Sequence, residues 1–369
     1  MRPKNPPIGC AATSIRSPAI ADPIPVQPRF DPKLVNEPFG DPGVYVDFRF
    51  EKRAFLFDLG DNTPLPPKKL LRLSHVFVSH THMDHFIGFD RLVRICVGRQ
   101  TGMHLFGPPG FIAQVEHKLA AYTWNLVHNY ETDFAVTVTE IDSVETDGSR
   151  LARTARFRSR LRFQREALPA STVSGGVLVD EEGFRVRAAL LDHRTPCLGF
   201  AIEEGMHVSV WKNGLLAMGL QTGPWLKEMK RAVLAGRPDD EAVLARWKEH
   251  GVIHEREVTL GELKAQALRL VEGQKIGYVT DVAFHEDNLR RVVELVRGAD
   301  LLFIESVFLD ADAGHAREKK HLTARQAGTM ARAAGARIVI PFHFSPRYAR
   351  REAELRAELE AAFGGQVAS

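Results

Sequence analysis

The run Ser79-His80-Thr81-His82-Met83-Asp84-His85 places three imidazoles and a carboxylate within six positions. It follows Val76-Phe77-Val78, an apolar stretch that reads as a buried strand. The cluster therefore falls on the loop at that strand's carboxyl end, where open α/β sheets place their sites. Neutral imidazole and carboxylate suit Zn, Mn or Fe, and this spacing lets one short loop serve two adjacent ions. Two divalent ions roughly 3.5–4 Å apart lower the pKa of a shared water from about 15.7 to about 7 and bind phosphoryl oxygens. That is hydrolytic machinery. A lone histidine in such a loop would more simply be a satisfied core group, but four metal-capable side chains together are poorly explained that way.

The cluster matches the His-x-His-x-Asp-His signature and so resembles the metallo-β-lactamase superfamily. Further positions of the same pattern occur downstream in Leu191-Asp192-His193, Val279-Thr280-Asp281 and Pro341-Phe342-His343, each at or just after an apolar β-like run. The resemblance implies that His80, His82 and His193 bind one metal, that Asp84, His85 and His343 bind the other, and that Asp281 bridges them. With no thiolate in the set, two zinc ions are the first expectation, with Mn or Fe as alternatives.

Within that superfamily the chain is similar to ribonuclease Z, which trims the 3′ ends of precursor transfer RNAs. Gly219-Leu220-Gln221-Thr222-Gly223-Pro224-Trp225 resembles the Gly-Pro segment of a protruding arm that grips transfer RNA, which makes Gly223 and Pro224 substrate-binding candidates. The interval 205–273 is long for a loop and has the length of a subdomain. Helices over 225–235 and 240–250 are expected to build that arm. Glu305 at the end of Leu301-Leu302-Phe303-Ile304, with His321-Leu322-Thr323, resembles the family's pairing of a carboxylate with a histidine near the scissile phosphate. A glutamate fixes the tautomer of such a histidine and favours its cation, which suits protonation of a leaving oxygen. Capping of a helix near Thr323 is the structural alternative. Ser345 and Arg347, in Phe344-Ser345-Pro346-Arg347-Tyr348, match the family's closing motif. They are candidates to cradle a phosphate at the amino end of the last helix. The resemblance also implies a homodimer in which arms cross between subunits. It weakens at Leu34 to Gly43 and at Gly60-Asp61-Asn62-Thr63-Pro64, where the family's Gly-Thr-Gly loop and a glutamine are missing.

The elements that must hold these residues follow from periodicity. Strands are expected over 44–50, 54–57, 103–106, 134–141, 184–190, 198–202, 276–280, 301–305 and 338–341, and helices over 70–73, 84–97, 109–124, 286–296, 323–334 and 346–363. Strands interleaved with helices imply layered α/β packing. The resemblance sharpens this to an αββα sandwich of metallo-β-lactamase type with a protruding helical arm. The Pro-, Ser- and Ala-rich residues 1–30 read as a disordered extension, and 31–369 as the hydrolase domain with 205–273 inserted.

A chain of 369 residues with 44% hydrophobic content can bury a sizeable core. Cys10, Cys96 and Cys197 lie far apart, which argues against a disulfide framework and fits a cytoplasmic protein. No apolar run is long enough to span a bilayer, so no membrane partner is expected. The net charge of +3 is too small to argue from. From Arg150 to Glu166, however, there are seven arginines and one acid, and Arg156, Arg158, Arg160 and Arg162 alternate like one face of a strand. That face could follow phosphates or merely protect a sheet edge. Gly175-Gly176 reads as a hairpin turn in the otherwise unexplained insert 144–179.

Together these features favour an endoribonuclease acting on precursor transfer RNA, with Asp84, His321 and Glu305 as catalytic residues. A hydrolase of small phosphodiesters such as cyclic nucleotides, or of aryl sulfates, would keep the metal ligands and dispense with the arm. A non-catalytic RNA-binding scaffold would need neither metal.

Overall fold

Along the amino-terminal strands, successive side chains enter different cores. In Ala54–Phe57, Ala54 and Leu56 join one apolar cluster while Phe55 and Phe57 join another. A period of two with both faces buried is what a sheet covered on both sides requires. A computed structural model describes residues 28–368 of the chain.

The strands β1 (Phe30–Leu34), β2 (Val44–Phe48), β3 (Ala54–Phe57), β4 (Leu73–Phe77), β5 (Gly102–Gly107), β6 (Ala135–Thr146), β7 (Ser149–Arg158) and β8 (Arg165–Ser174) form one sheet in chain order. There follow β9 (Val177–Glu181), β10 (Phe184–Asp192), β11 (Pro196–Glu204), β12 (His207–Val210), β13 (Ala242–Glu249), β14 (Val252–Thr259), β15 (Leu268–Val271), β16 (Lys275–Val279), β17 (Leu301–Glu305), β18 (Ile338–Phe342) and β19 (Gln366–Val367). The second sheet runs β19-β18-β17-β16-β11-β10-β9. Its inner face brings Phe184, Phe200, Tyr278, Phe303 and Phe342 against Phe30, Phe48, Phe55, Phe57, Phe77 and Phe106 of the first. Each such ring contributes about 1.5–3 kcal/mol by leaving water. Helices Phe89–Cys96 and Phe111–Ala120 cover the outer face of the first sheet through Leu92, Val93, Phe111 and Val115. Helices Glu286–Val296, Ala324–Ala334 and Glu352–Phe363 cover the second through Val292, Met330 and Leu359. This is the αββα sandwich that the resemblance implied.

Strand direction decides where chemistry can gather. β3, β4, β5 and β6 are mutually parallel, as are β16, β17, β18 and β19. Asp58, the 79–85 loop, Asp281, Glu305 and His343 are thus all strand-end residues of two parallel arrays.

Chain contacts separate residues 209–226 and 238–269 from the rest of the described chain as a small unit. Here the expected helix over 240–250 is replaced by a hairpin of β13 and β14, paired from Ala242 with Thr259 to Glu249 with Val252. The cause is local. His250 and Gly251 both adopt positive φ, the two-residue turn that suits twisted strands, and Ala245 and Trp247 are buried at period two. The interval 205–273 is therefore not wholly helical, although Trp225–Leu234 is a helix as expected.

Other boundaries also shift for identifiable reasons. The helix expected over 84–97 breaks into Met83–Phe86 and Phe89–Cys96 at Gly88, where a Cβ would lie 2.3 Å from the Gly60 carbonyl oxygen. Pro67–Leu70 is helical, whereas Leu73 already opens β4. The run of alternating arginines is interrupted after Arg158. Asp133 accepts from Arg158, from the Ser159 hydroxyl and from the Arg160 amide, and the chain turns through residues 159–161. Arg160 and Arg162 therefore do not extend a guanidinium face. Gly175 and Gly176 turn the chain from β8 of the first sheet to β9 of the second, rather than closing a hairpin within one. Residues 1–27 of the expected extension lie outside the described residues, while Phe30 is buried at the start of β1.

β4 and β5 carry a histidine stack beneath the site loop, with His104 4.1 Å from the Phe106 ring centroid and 5.8 Å from that of His75. Burial lowers the His104 pKa from 6.5 to about 4. The folded state thus resists protonation, so this contribution to stability is intact above pH 6.5 and fades as pH falls toward 4. Urea unfolding of a His104→Gln protein should show about 2 kcal/mol less loss between pH 7 and pH 5 than the parent.

Candidate metal centre

Four imidazoles converge on the buried carboxylate of Asp281. Its Oδ2 lies 3.5 Å from His80 Nε2 and 3.2 Å from His193 Nε2, and its Oδ1 lies 3.3 Å from His85 Nε2 and 3.2 Å from His343 Nε2. Each oxygen therefore faces its own pair of histidines. His82 completes the first set, its ring 4.3 Å from that of His80, and Asp84 Oδ2 completes the second at 3.6 Å from His85 Nε2 and 3.7 Å from His343 Nε2. The donor atoms of His80, His82, His193 and Asp281 lie within 4.8 Å of one another, as do those of Asp84, His85 and His343. All seven expected ligand positions are brought together.

Hydrogen bonds behind the ring determine which nitrogen each histidine presents. Asp58, buried at the end of β3, accepts from the Ser79 amide at 2.6 Å, the Ser79 hydroxyl at 2.8 Å, the Tyr278 hydroxyl at 2.7 Å and His85 Nδ1 at 2.8 Å. The Ser79 proton is thus committed to Asp58, so its oxygen accepts from His80 Nδ1 at 3.1 Å. His193 Nδ1 donates to the Lys320 carbonyl at 2.8 Å. In all three rings Nδ1 is engaged behind the ring, which leaves Nε2 to face the centre.

Burial, with help from the neighbouring His85, lowers the His80 pKa to about 2 and so keeps that ring neutral. Burial likewise lowers His82. For His85, burial acts in the same direction but is outweighed by Asp281 and Asp58 on either side, which favour a cation there. His80 Nε2 and His85 Nε2 are buried and make no hydrogen bond among the described residues. Leaving two such buried nitrogens without a partner is costly, and a divalent cation, which would take the place of a proton on His85, satisfies both. The donor set fits divalent metal. Cys197 is no part of it, since burial pushes its thiol well above the usual range.

The supporting backbone is strained. Asp58, Asp281 and His343 adopt φ of 58°, 47° and 59°. Left-handed backbone at a non-glycine residue costs about 1–3 kcal/mol and persists where surrounding contacts enforce it. For Asp281 those contacts include the Thr280 hydroxyl, 2.9 Å from Oδ1, and the next amide, Val282, held by Glu305.

Glu305 is fully buried and serves three donors. Oε1 accepts from the Val282 and Leu322 amides at 3.0 and 3.1 Å, and Oε2 accepts from His321 Nδ1 at 2.7 Å. The histidine thereby turns Nε2 toward the centre, and a donor atom of His321 lies within 4.8 Å of Asp281 and His343. Burial alone would lower the His321 pKa; the Glu305 charge and hydrogen bond overcome it and raise the pKa to about 9.

Ser345 and Arg347 are placed differently from expectation. Residues 346–348 form a single 3₁₀ turn that the Ser345 side chain does not cap, and the last helix starts only at Glu352. No helical amino terminus therefore meets Ser345 and Arg347. Gly223 and Pro224 lie in the small unit, where a Cβ on Gly223 would come within 2.5 Å of the Arg246 carbonyl. Asp58, Ser79, Tyr278 and the Lys320 carbonyl were not anticipated. Asp58 had a usable signal, because Phe55-Leu56-Phe57-Asp58 is another apolar run ending in a carboxylate.

The family described as "Beta-lactamase superfamily domain" matches residues 46–271 and 243–344. Ribonuclease Z of Deinococcus radiodurans is 32% identical over 334 residues, covering 89% of this chain and 93% of that protein. The chain belongs to the ribonuclease Z family of that superfamily. Ribonuclease Z of Methanothermobacter thermautotrophicus is 26% identical over 85% of this chain and 84% of its own. Among solved structures, the metallo-beta-lactamase fold protein YhfI of Bacillus subtilis shares the fold, with a TM-score of 0.50 and 15% identity over 91% of this chain and 95% of that one.

In this family member the candidate ligands are oriented by partners behind them. Replacing Asp58 by Ala should weaken divalent-metal affinity about 10- to 100-fold, read by chelator competition, although Asp58 itself faces no metal position.

Proposed function

We propose that this protein is an endoribonuclease that removes the 3′ trailer from precursor transfer RNA, using two divalent ions, with zinc preferred by the donor set. The reading is carried by the pairing of His321 with Glu305 beside Asp281 and His343, in a chain related to ribonuclease Z over nearly its whole length. A hydrolase acting on aryl esters with good leaving groups would have little use for a histidine braced as a proton donor.

His80, His82 and His193 would hold one ion and Asp84, His85 and His343 the other, with Asp281 between them. When bound, the ions supply a water of lowered pKa and neutralise charge on the phosphate. Asp84, a half-buried carboxylate among these ligands, is placed to accept a proton from the attacking water. His321, doubly protonated because Glu305 supports its cation, gives its Nε2 proton to the 3′ oxygen as the P–O3′ bond breaks. Water adds to phosphorus, leaving a 3′ hydroxyl on the transfer RNA and a 5′ phosphate on the trailer. The small unit that contains Gly223 and Pro224 would serve as the arm that holds the RNA body, and a homodimer would allow arms to be exchanged. No helix among the described residues is long and apolar enough to cross a membrane.

Cleavage of a 3′-extended precursor by the metal-loaded protein, mapped to the nucleotide, tests the reading. A single cut near the end of the acceptor stem is expected, and Asp84→Ala should abolish it. His321→Ala should lower kcat on RNA about 10²- to 10⁴-fold. The same variant should lose far less on bis(p-nitrophenyl) phosphate, whose leaving group departs without a proton. Hydrolysis of the small ester with no cut in the RNA would instead favour the small-phosphodiester reading.

A further inference from the structure

We infer that Phe308, Asp312 and Tyr348 form a bracket that presents the Arg347 guanidinium to a backbone phosphate neighbouring the one that is cut. Phe308 and Asp312 are then positioning residues for RNA. The inference rests on the RNA-cleaving function proposed above and on the phosphate contact that the resemblance implies for Arg347; what it adds is the bracket that aims that contact.

Arg347 is held in two ways. Its guanidinium lies over the Phe308 ring, 5.6 Å from the centroid, and its Nη1 is 3.6 Å from Asp312 Oδ2. The same carboxylate oxygen accepts a short hydrogen bond from the Tyr348 hydroxyl. Asp312 is therefore anchored by the residue that follows Arg347 and gives the guanidinium only a loose ionic contact. The Arg347 side chain remains 45% exposed, so its guanidinium can be reached by an incoming anion.

The bracket is tied to the chemistry. The Phe308 ring neighbours His321, with centroids 6.2 Å apart, so a single ring separates the guanidinium from the proposed proton donor. Backbone bonds lock the three segments together: Phe308 donates to Leu322 and accepts from Ala324, and Ser345 donates to Val307. A phosphate held by Arg347 would thus keep a fixed offset from His321. A mobile surface arginine would have to surrender rotamer freedom on binding, whereas one stacked on an aromatic face and steered by a carboxylate is largely preorganised. An ordinary exposed ion pair would show no such link to the catalytic histidine and would contribute little to binding.

Steady-state cleavage and fluorescence-anisotropy binding of a 3′-extended precursor, each across a salt series, test this in the full-length metal-loaded protein. Arg347→Ala should raise KM for the RNA about tenfold and reduce the slope of log affinity against log salt by about one. The variant's metal content and thermal unfolding midpoint, compared with the parent's, report on folding. Asp312→Asn and Phe308→Leu should raise the RNA KM about three- to fivefold with the salt slope retained, since the charge is still present but no longer aimed. Asp312→Glu should restore most of the loss. A lower RNA KM in Asp312→Asn would overturn the inference by making Asp312 a competitor for the arginine, as would an unchanged KM and salt slope in Arg347→Ala. If the parent protein cleaves the small ester but not the RNA, the proposed function fails on its own. The binding series then still decides the bracket, and an unchanged RNA affinity in Arg347→Ala would reject it.

Discussion

The site depends on one buried carboxylate facing four imidazoles. Asp281 follows the end of β16 by two residues, its φ is left-handed, and each of its oxygens is directed at a different histidine pair. Burying an anion is tolerable only if compensating charge and hydrogen bonds surround it. Here much of the sandwich contributes: β4, β16 and β18 deliver ligands from their carboxyl ends, and the turn between β10 and β11 delivers His193. Parallel strands are the reason this convergence is possible, because they bring successive strand ends to a common edge.

Behind that carboxylate stand two more, with distinct tasks. Asp58 gathers Ser79, His85 and Tyr278, and in doing so settles the proton positions of His80 and His85. Glu305 gathers the amides of Val282 and Leu322 and the His321 ring, and so couples the loop after Asp281 to the proposed proton donor. The first network fixes which nitrogen His80 and His85 turn to the centre, whereas the second supports the His321 cation. Burial keeps His80 neutral, whereas Glu305 overrides burial at His321, so neighbouring histidines differ in protonation as acid–base chemistry at neutral pH requires.

Much of this was legible in the residues. The 79–85 loop announced itself because metal ligands cluster at a strand end, and β17 was bounded correctly because Leu301 to Glu305 is uniformly apolar until its last residue. What remained hidden depended on long-range contacts or on single backbone torsions. The helix expected over 240–250 failed because a His-Gly pair can adopt two positive φ values, and composition alone did not reveal that turn. The arginine run lost its strand character to Asp133, which lies 25 residues from Arg158 in the chain. Asp58 was missed because its role is defined by partners up to 220 residues away. The phosphate cradle at Ser345 failed because Pro346 opens a single 3₁₀ turn rather than the helix itself.

The central claim is that the two oxygens of Asp281 serve two separate ion sites. Metal stoichiometry, measured by elemental analysis and calorimetric titration of chelator-treated protein, tests it most directly. The account predicts two divalent ions per chain in the parent protein and failure of both sites to bind normally in Asp281→Ala. Binding of a single ion by the parent, or retention of both with unchanged affinity in the variant, would contradict it.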